Sequence, residues 1–199
     1  MITPNSITNF NRSTAELGWF WLFCLSVQGK NSGVQSRKIN NIIHCFEDAF
    51  QCEVDPIYVY SKTPHEFSEE LERVGLGQYD RIFTALEETV EAGGVEFLKT
   101  ATVEELMGIY GVGPKTARFF ILHSRRGARC VPLDTHVIKW LQMVVRANMC
   151  SSFTCSRPTN NVDYLLKEKA ALSWMDKIFP DISIADADLL IWKSMRNQA

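Results

Sequence analysis

Two residues suited to covalent chemistry, Lys115 and Asp134, lie nineteen positions apart in the sequence. Lys115 is the second residue of a helix that the pattern predicts to begin at Pro114. The dipole of that helix disfavours a cation in its first turn, and a neutral amine is a nucleophile. An eleven-residue helix spans ~16 Å, so a turn at Arg125 and the segment 130–133 can return Asp134 to the neighbourhood of Lys115. The alternatives are a phosphate contact for Lys115 and a helix N-cap for Asp134, and the second role is compatible with chemistry.

The residues just before Lys115 predict a tight turn between two helices. Gly111 and Gly113 permit a positive φ and leave the amides around Val112 uncovered. Pro114 suits the first position of a helix, where no N–H is needed. Amides exposed at a helix N-terminus attract a phosphate oxygen, directly or through a bound monovalent or divalent cation. The sequence therefore predicts a phosphate-binding turn, with an ordinary glycine-capped turn as the alternative.

Charged residues are unevenly distributed along this chain, whose net charge is −2. Residues 66–107 carry eleven acidic and three basic side chains, whereas residues 108–146 carry seven basic side chains and one acidic one. Such a basic segment favours an anionic partner such as a nucleic acid, with a solvated face as the alternative. The side chains expected to contact the DNA backbone are Thr116, Arg125, Arg126, Arg129 and His136.

The composition limits the class of protein. An apolar fraction of 46% in 199 residues supports a buried core. No run of eighteen apolar residues is present, which argues against a membrane span, and no apolar segment follows a basic N-terminus. We therefore expect a protein that is not secreted and lies inside the cell with the DNA. Six cysteines without a CxxC pair predict free thiols rather than a zinc ribbon or an iron–sulfur cluster, and no other cofactor or catalytic metal is expected.

Apolar residues recur at helical spacing nearly throughout, which predicts an all-α fold of about nine or ten helices. Thr102 and Glu105 form a predicted capping box, and Asp134 is expected to cap a helix over 135–148. The longest alternating pattern is 57–60, within an expected loop between Pro56 and Pro64. The other predicted helices cover 14–27, 36–50, 64–74, 78–92, 114–124, 162–179 and 185–195, and residues 150–161 are expected to form a loop.

The order of these motifs resembles the helix-hairpin-helix–Gly/Pro–Asp superfamily of DNA glycosylases. Residues 111–117 (Gly-Val-Gly-Pro-Lys-Thr-Ala) and 131–136 (Val-Pro-Leu-Asp-Thr-His) are similar to the hairpin and catalytic segments of 8-oxoguanine glycosylases. Residues 25–28 (Leu-Ser-Val-Gln) are similar to the loop that fills the gap left by an extruded base, and residues 74–82 to the segment entering the hairpin domain. Residues 188–192 (Asp-Leu-Leu-Ile-Trp) are similar to the last helix of the small archaeal-type members, although this C-terminus lacks their lysine.

This resemblance implies a bifunctional DNA glycosylase and abasic-site lyase of base-excision repair. Two helical lobes are expected, residues 26–131 and residues 1–25 plus 132–199, with a DNA-binding cleft between them. The Lys115 amine would attack C1′ of the damaged nucleotide, Asp134 would stabilise the sugar cation, and a Schiff base would lead to β-elimination. The expected partner is duplex DNA with a damaged base, bound by a monomer.

The base must leave the duplex before C1′ is accessible. Gln28, or its neighbours Lys30 and Asn31, is the expected wedge, and Phe119 and Trp192 are expected to line the base pocket. For Gln28 the alternative is a solvated loop residue, and for Trp192 it is core packing. Trp19 and Trp21 are assigned to the core. The preferred substrate is 8-oxoguanine; an oxidised pyrimidine or other modified base, or a non-catalytic DNA-binding module, are the alternatives.

Overall fold

The structure, a computed structural model, describes residues 1–148 and 155–196. Within those residues the fold is all-α, as predicted, with eleven α-helices, one short 3-10 helix (Pro4–Ser6) and no strand. The helices are α1 (Thr14–Ser26), α2 (Ser32–Phe50), α3 (Pro56–Lys62), α4 (Pro64–Arg73), α5 (Tyr79–Glu91), α6 (Gly94–Thr100), α7 (Val103–Met107), α8 (Pro114–Ser124), α9 (Thr135–Asn148), α10 (Asn161–Ile178) and α11 (Ile184–Arg196).

Helix α1 is buried on every side, because it is apolar all round. Trp19 and Trp21 are 2% and 0% exposed, which confirms their assignment to the core, and their indole N–H groups donate to Val54 O and Thr89 Oγ1. Helices α2, α3, α5, α6 and α8 pack around α1. The packing of α1 therefore differs from the expected grouping of residues 1–25 with the C-terminal helices.

The C-terminal helices form a neighbouring group. Helix α9 packs against α10 and α11, and α11 also contacts α8. The starts of α8 and α9 and the C-terminal half of α11 consequently come close together, which positions the site described below. None of the helices in the described part of the chain is long and apolar enough to cross a membrane.

Two helices occupy segments where none was predicted. Residues 56–62, expected to be a loop, form α3, because the Asp55 side chain accepts from Ile57 N at 2.9 Å and Pro56 begins the helix. Residues 94–100 form α6 after Gly93, which has a φ of 116°. Helix α2 also begins four residues earlier than expected, at Ser32, capped by Asn31. Residues 150–154 of the expected loop lie outside the described residues.

Candidate active site

A tight turn joins α7 to α8 and presents Lys115. The capping box predicted at Thr102 and Glu105 begins α7. Gly111 has a φ of 72°, and a Cβ there would lie 2.6 Å from Arg81 Cγ, so only glycine fits without displacement. Gly113, in contrast, is extended and serves as the N-cap of α8.

Lys115 and Asp134 line the same cavity, whose volume is about 400 Å³. That volume lies within the range typical of small-molecule pockets, about 300–1,000 Å³. Lys115 is an exposed residue, whereas Asp134 is half-buried. The cavity brings these two residues together with five other predicted site residues, namely Gln28, Thr116, Phe119, His136 and Trp192.

Asp134 directly precedes α9 and acts as its N-cap, as predicted. Its Oδ1 accepts from the backbone amides of His136 and Val137, both at 2.8 Å. These bonds fix the carboxylate at the cavity and leave Oδ2 without a hydrogen bond from the described residues. The cap and a chemical role for Asp134 are therefore compatible.

The backbone just before Asp134 is held by two side chains of α10. The Tyr164 hydroxyl accepts from Leu133 N at 2.8 Å and donates to Val131 O at 3.0 Å. Glu168 Oε1 accepts from Val131 N and from Arg118 Nε, each at 2.8 Å. We call these residues, Arg118, Val131, Leu133, Tyr164 and Glu168, the α10 clamp. All are buried, so their hydrogen bonds are shielded from water and constrain the direction in which Asp134 enters the cavity.

Aromatic rings form one wall of the cavity. Trp192 is half-buried, and its ring lies 6.2 Å from that of His136 in an edge-to-face arrangement. Phe119 is also half-buried and packs edge-to-face on His123, with ring centroids 4.7 Å apart. Nδ1 of His136 is buried without a hydrogen-bond partner among the described residues. The lining of the cavity therefore combines π faces with a buried ring nitrogen that has no hydrogen-bond partner among the described residues.

Sequence reasoning assigned no role to Asp188, which also lines the cavity. Its side chain is 8% exposed, and Oδ2 lies 3.2 Å from His123 Nε2. Burial raises the pKa of Asp188, an effect that the hydrogen bond from His123 opposes. His123 Nδ1 in turn lies 2.8 Å from Thr8 Oγ1. Asp188 lies four residues before Trp192 on a helix, so both share one helix face. That spacing could have predicted Asp188 as a second residue of the cavity.

Gln28 lies at the edge of the cavity beside the Gly111 turn. Its side-chain Nε2 donates to Gly111 O at 3.1 Å, and its backbone carbonyl accepts from Gln78 Nε2 at 3.1 Å. The loop after α1 is thereby tied both to the turn before α8 and to the start of α5. This position is consistent with the expected wedge, which stays a prediction.

The three arginines expected to contact the DNA backbone lie outside the cavity. They follow α8 at its C-terminal end, ~16 Å of helix away from Lys115. Arg125 is half-buried and donates to Leu98 O at 2.8 Å, Arg129 pairs with Asp176 at 2.7 Å, and Arg126 lies over the Phe10 ring. These contacts are all with protein groups, and binding of the three arginines to the DNA backbone stays a prediction.

No group of three or more His, Cys, Asp or Glu side chains in residues 1–148 and 155–196 is arranged to hold a metal ion. A cation bound by the carbonyls of the Gly111 turn stays a prediction, as does the monomeric state. No protein-family model matches the sequence, and no curated protein or solved structure matches it.

Proposed function

We propose that this protein is a bifunctional DNA glycosylase and abasic-site lyase that removes an oxidised purine, 8-oxoguanine, from duplex DNA. The observation that carries the proposal is the shared cavity of Lys115, Asp134 and Trp192. An amine, a carboxylate and an aromatic face are the groups needed to attack C1′, stabilise positive charge on the sugar and bind a planar base.

The reaction begins at C1′ of the extruded nucleotide. The bond from C1′ to the base breaks, the electron pair leaves with the base, and the base takes up a proton. The Lys115 amine forms a bond to C1′ and loses a proton, and Asp134 compensates the positive charge that develops on the sugar. The C1′–O4′ bond then breaks, O4′ keeps the electron pair and takes up a proton, and the nitrogen lone pair forms the C=N bond of a protonated Schiff base.

The Schiff base then permits strand cleavage. Removal of a C2′ proton breaks the bond between C3′ and its oxygen, and the 3′ phosphate leaves with that electron pair. Hydrolysis of the Schiff base returns the free amine of Lys115. Asp134 would accept and return these protons, a role that its place in the lining of the same cavity supports.

The DNA is proposed to lie between two helical lobes, α1–α8 and α9–α11, as a helix-hairpin-helix protein would hold it. The amides of Gly111 and Gly113 would bind a phosphate 3′ of the lesion, whereas the Val112 amide already donates to Ile109 O at 3.0 Å. Gln28 would fill the space of the extruded base, and the base would stack on Trp192. Asp188 offers a buried hydrogen-bonding group for the edge of that base.

A panel of duplexes, each with a single lesion, tests this proposal under single-turnover conditions. We expect release of 8-oxoguanine and strand cleavage at that site. Lys115→Gln should abolish both, with Lys139→Gln on the exposed face of α9 as the matched control. Asp134→Asn should slow base release by about two to three orders of magnitude, and Asn retains the N-cap. Asp48→Asn, at an exposed position of α2, is its control.

The outcome separates the alternatives. Preference for an oxidised pyrimidine would change the substrate and leave the roles of Lys115 and Asp134 standing. Release of free base without strand cleavage by Lys115→Gln would make water the nucleophile. Duplex binding without release of any base would indicate a non-catalytic module and would refute the proposed activity.

A further inference from the structure

Three cationic side chains lie near the loop that carries Gln28, and the proposed reaction does not use them as a group. Lys30 Nζ donates to Leu76 O at 2.6 Å, Lys38 Nζ donates to Gly75 O, and Arg81 Nη2 donates to Leu25 O at 2.5 Å. We call Lys30, Lys38 and Arg81 the basic trio. Within the described ranges, none of the three pairs with a carboxylate.

The basic trio carries charge that the protein does not neutralise. The pKa of Lys30 is lowered by burial and by the nearby charges of Lys38 and Arg81, so the three cations act on one another. Carbonyl dipoles compensate such charges only in part. A cluster of this kind is stabilised by a bound anion.

Donors remain free in the basic trio to bind that anion. An ammonium group has three N–H donors, and Lys30 and Lys38 each use one of them on a backbone carbonyl. Both lysines are half-buried and thus remain partly open to solvent. The free N–H donors and the positive charge of these lysines suit the binding of a phosphodiester oxygen.

The location of the basic trio relates it to the Gly111 turn. Lys30 lines the cavity that contains Lys115, and Arg81 packs against Gly111 and bonds to Gln78. Gln78 in turn donates to the carbonyl of Gln28. Lys30 thus lies at the same edge of the cavity as the wedge candidate Gln28, and Arg81 is joined to Gln28 by hydrogen bonds through Gln78.

We propose that Lys30, Lys38 and Arg81 form a second phosphate-binding site for a DNA phosphodiester, distinct from the amides of the Gly111 turn. This inference rests on the proposed function, because it takes duplex DNA as the ligand. The two phosphate sites would hold the backbone on both sides of Gln28 while the base is extruded.

The salt dependence of duplex binding tests the second site. Lys30→Gln and Lys38→Gln remove charge but keep a donor for the carbonyls of Leu76 and Gly75. Each phosphate contact contributes about 0.9 to the slope of log K against log salt, so losing one contact should reduce the fall in affinity between 50 and 200 mM salt about 3.5-fold. Arginine at either position should restore the slope. Lys62→Gln, at an exposed position of α3, should leave it unchanged.

Neutral methylphosphonate linkages, placed singly along each strand, identify the phosphate concerned. One linkage should weaken binding to the unmodified protein and have no further effect on the double variant Lys30→Gln/Lys38→Gln. If the double variant kept the slope of Lys62→Gln and only its thermal stability changed, the lysines would be loop tethers and the inference would be overturned.

Use of an undamaged duplex keeps this test separate from the proposed activity. A reduced slope in a protein that excises no lesion would refute the activity and support the second site. Normal excision with an unchanged slope would refute the second site alone. Absence of any duplex binding by the unmodified protein would overturn both.

Discussion

Replacement of Tyr164 by Phe removes one oxygen atom and tests whether the α10 clamp positions Asp134. The ring remains, together with its contact to the Arg118 guanidinium 4.5 Å away. Two buried backbone groups, Leu133 N–H and Val131 C=O, lose their partner. An unsatisfied buried group costs about 1–3 kcal/mol, so we expect a loss of about 3 kcal/mol in the free energy of unfolding. For a chain of this size the melting temperature should fall by about 6–12 °C.

Two assays follow from this estimate. Urea unfolding gives the free energy of unfolding, with Tyr58→Phe as control, since Tyr58 is 57% exposed and its hydroxyl makes no hydrogen bond in the described residues. Single-turnover base release, measured well below the melting transition, should slow at least ~10-fold, because small displacements of a catalytic group are costly. Equal stability and equal rates for Tyr164→Phe and Tyr58→Phe would refute the positioning role of the clamp.

Three further predictions concern separate parts of the chain. Gly127→Ala, where φ is 74° and no atom lies within 4 Å of the added Cβ, should cost about 1 kcal/mol in urea unfolding; Gly111→Ala should cost clearly more, because Arg81 must move, and equal costs would contradict this. Burial raises the pKa of Asp55 to about 6. The folded state therefore binds the carboxyl proton of Asp55 more tightly than the unfolded state does, and the protein loses stability as the pH rises from about 4 to 6. Asp55→Asn should therefore be about 1 kcal/mol more stable than the unmodified protein at pH 7.5, after allowance for partial exposure, and equally stable at pH 4; the same difference at both values would exclude this cause. Trp192→Leu should slow release of 8-oxoguanine about 10-fold or more through lost stacking without changing affinity for undamaged duplex, and an unchanged rate would remove Trp192 from the base pocket.

The helices on either side of the cavity follow closely from local sequence signals. Pro114 and the Asp134 cap mark the starts of α8 and α9, whose bounds are confirmed. The interpretation of residues 56–62 as a loop bounded by Pro56 and Pro64 was wrong, because Asp55 caps a helix that begins at Pro56. Short apolar patterns do not distinguish a strand from a short helix, whereas caps do.

The sequence predicted Lys115 and Asp134 more readily than it predicted which other residues surround them. Charge counted along the chain could not show that Leu98 O and Asp176 engage Arg125 and Arg129. Nor could it show that Lys30 and Lys38, eight positions apart, both donate to the segment between α4 and α5, whereas Arg81 donates to the end of α1. Such groupings depend on long-range packing, which the spacing of residues within one helix does not encode.

Covalent trapping tests the central claim most directly. Borohydride added during turnover on a duplex with 8-oxoguanine opposite cytosine should reduce a Schiff base and leave a stable protein–DNA adduct, because a primary amine is required. Peptide mapping should locate the adduct at Lys115; Lys115→Gln should give none, and Lys139→Gln should give the normal yield. An adduct that persists in Lys115→Gln, or base release and strand cleavage that proceed without any trappable adduct, would contradict the assignment of Lys115 as the nucleophile.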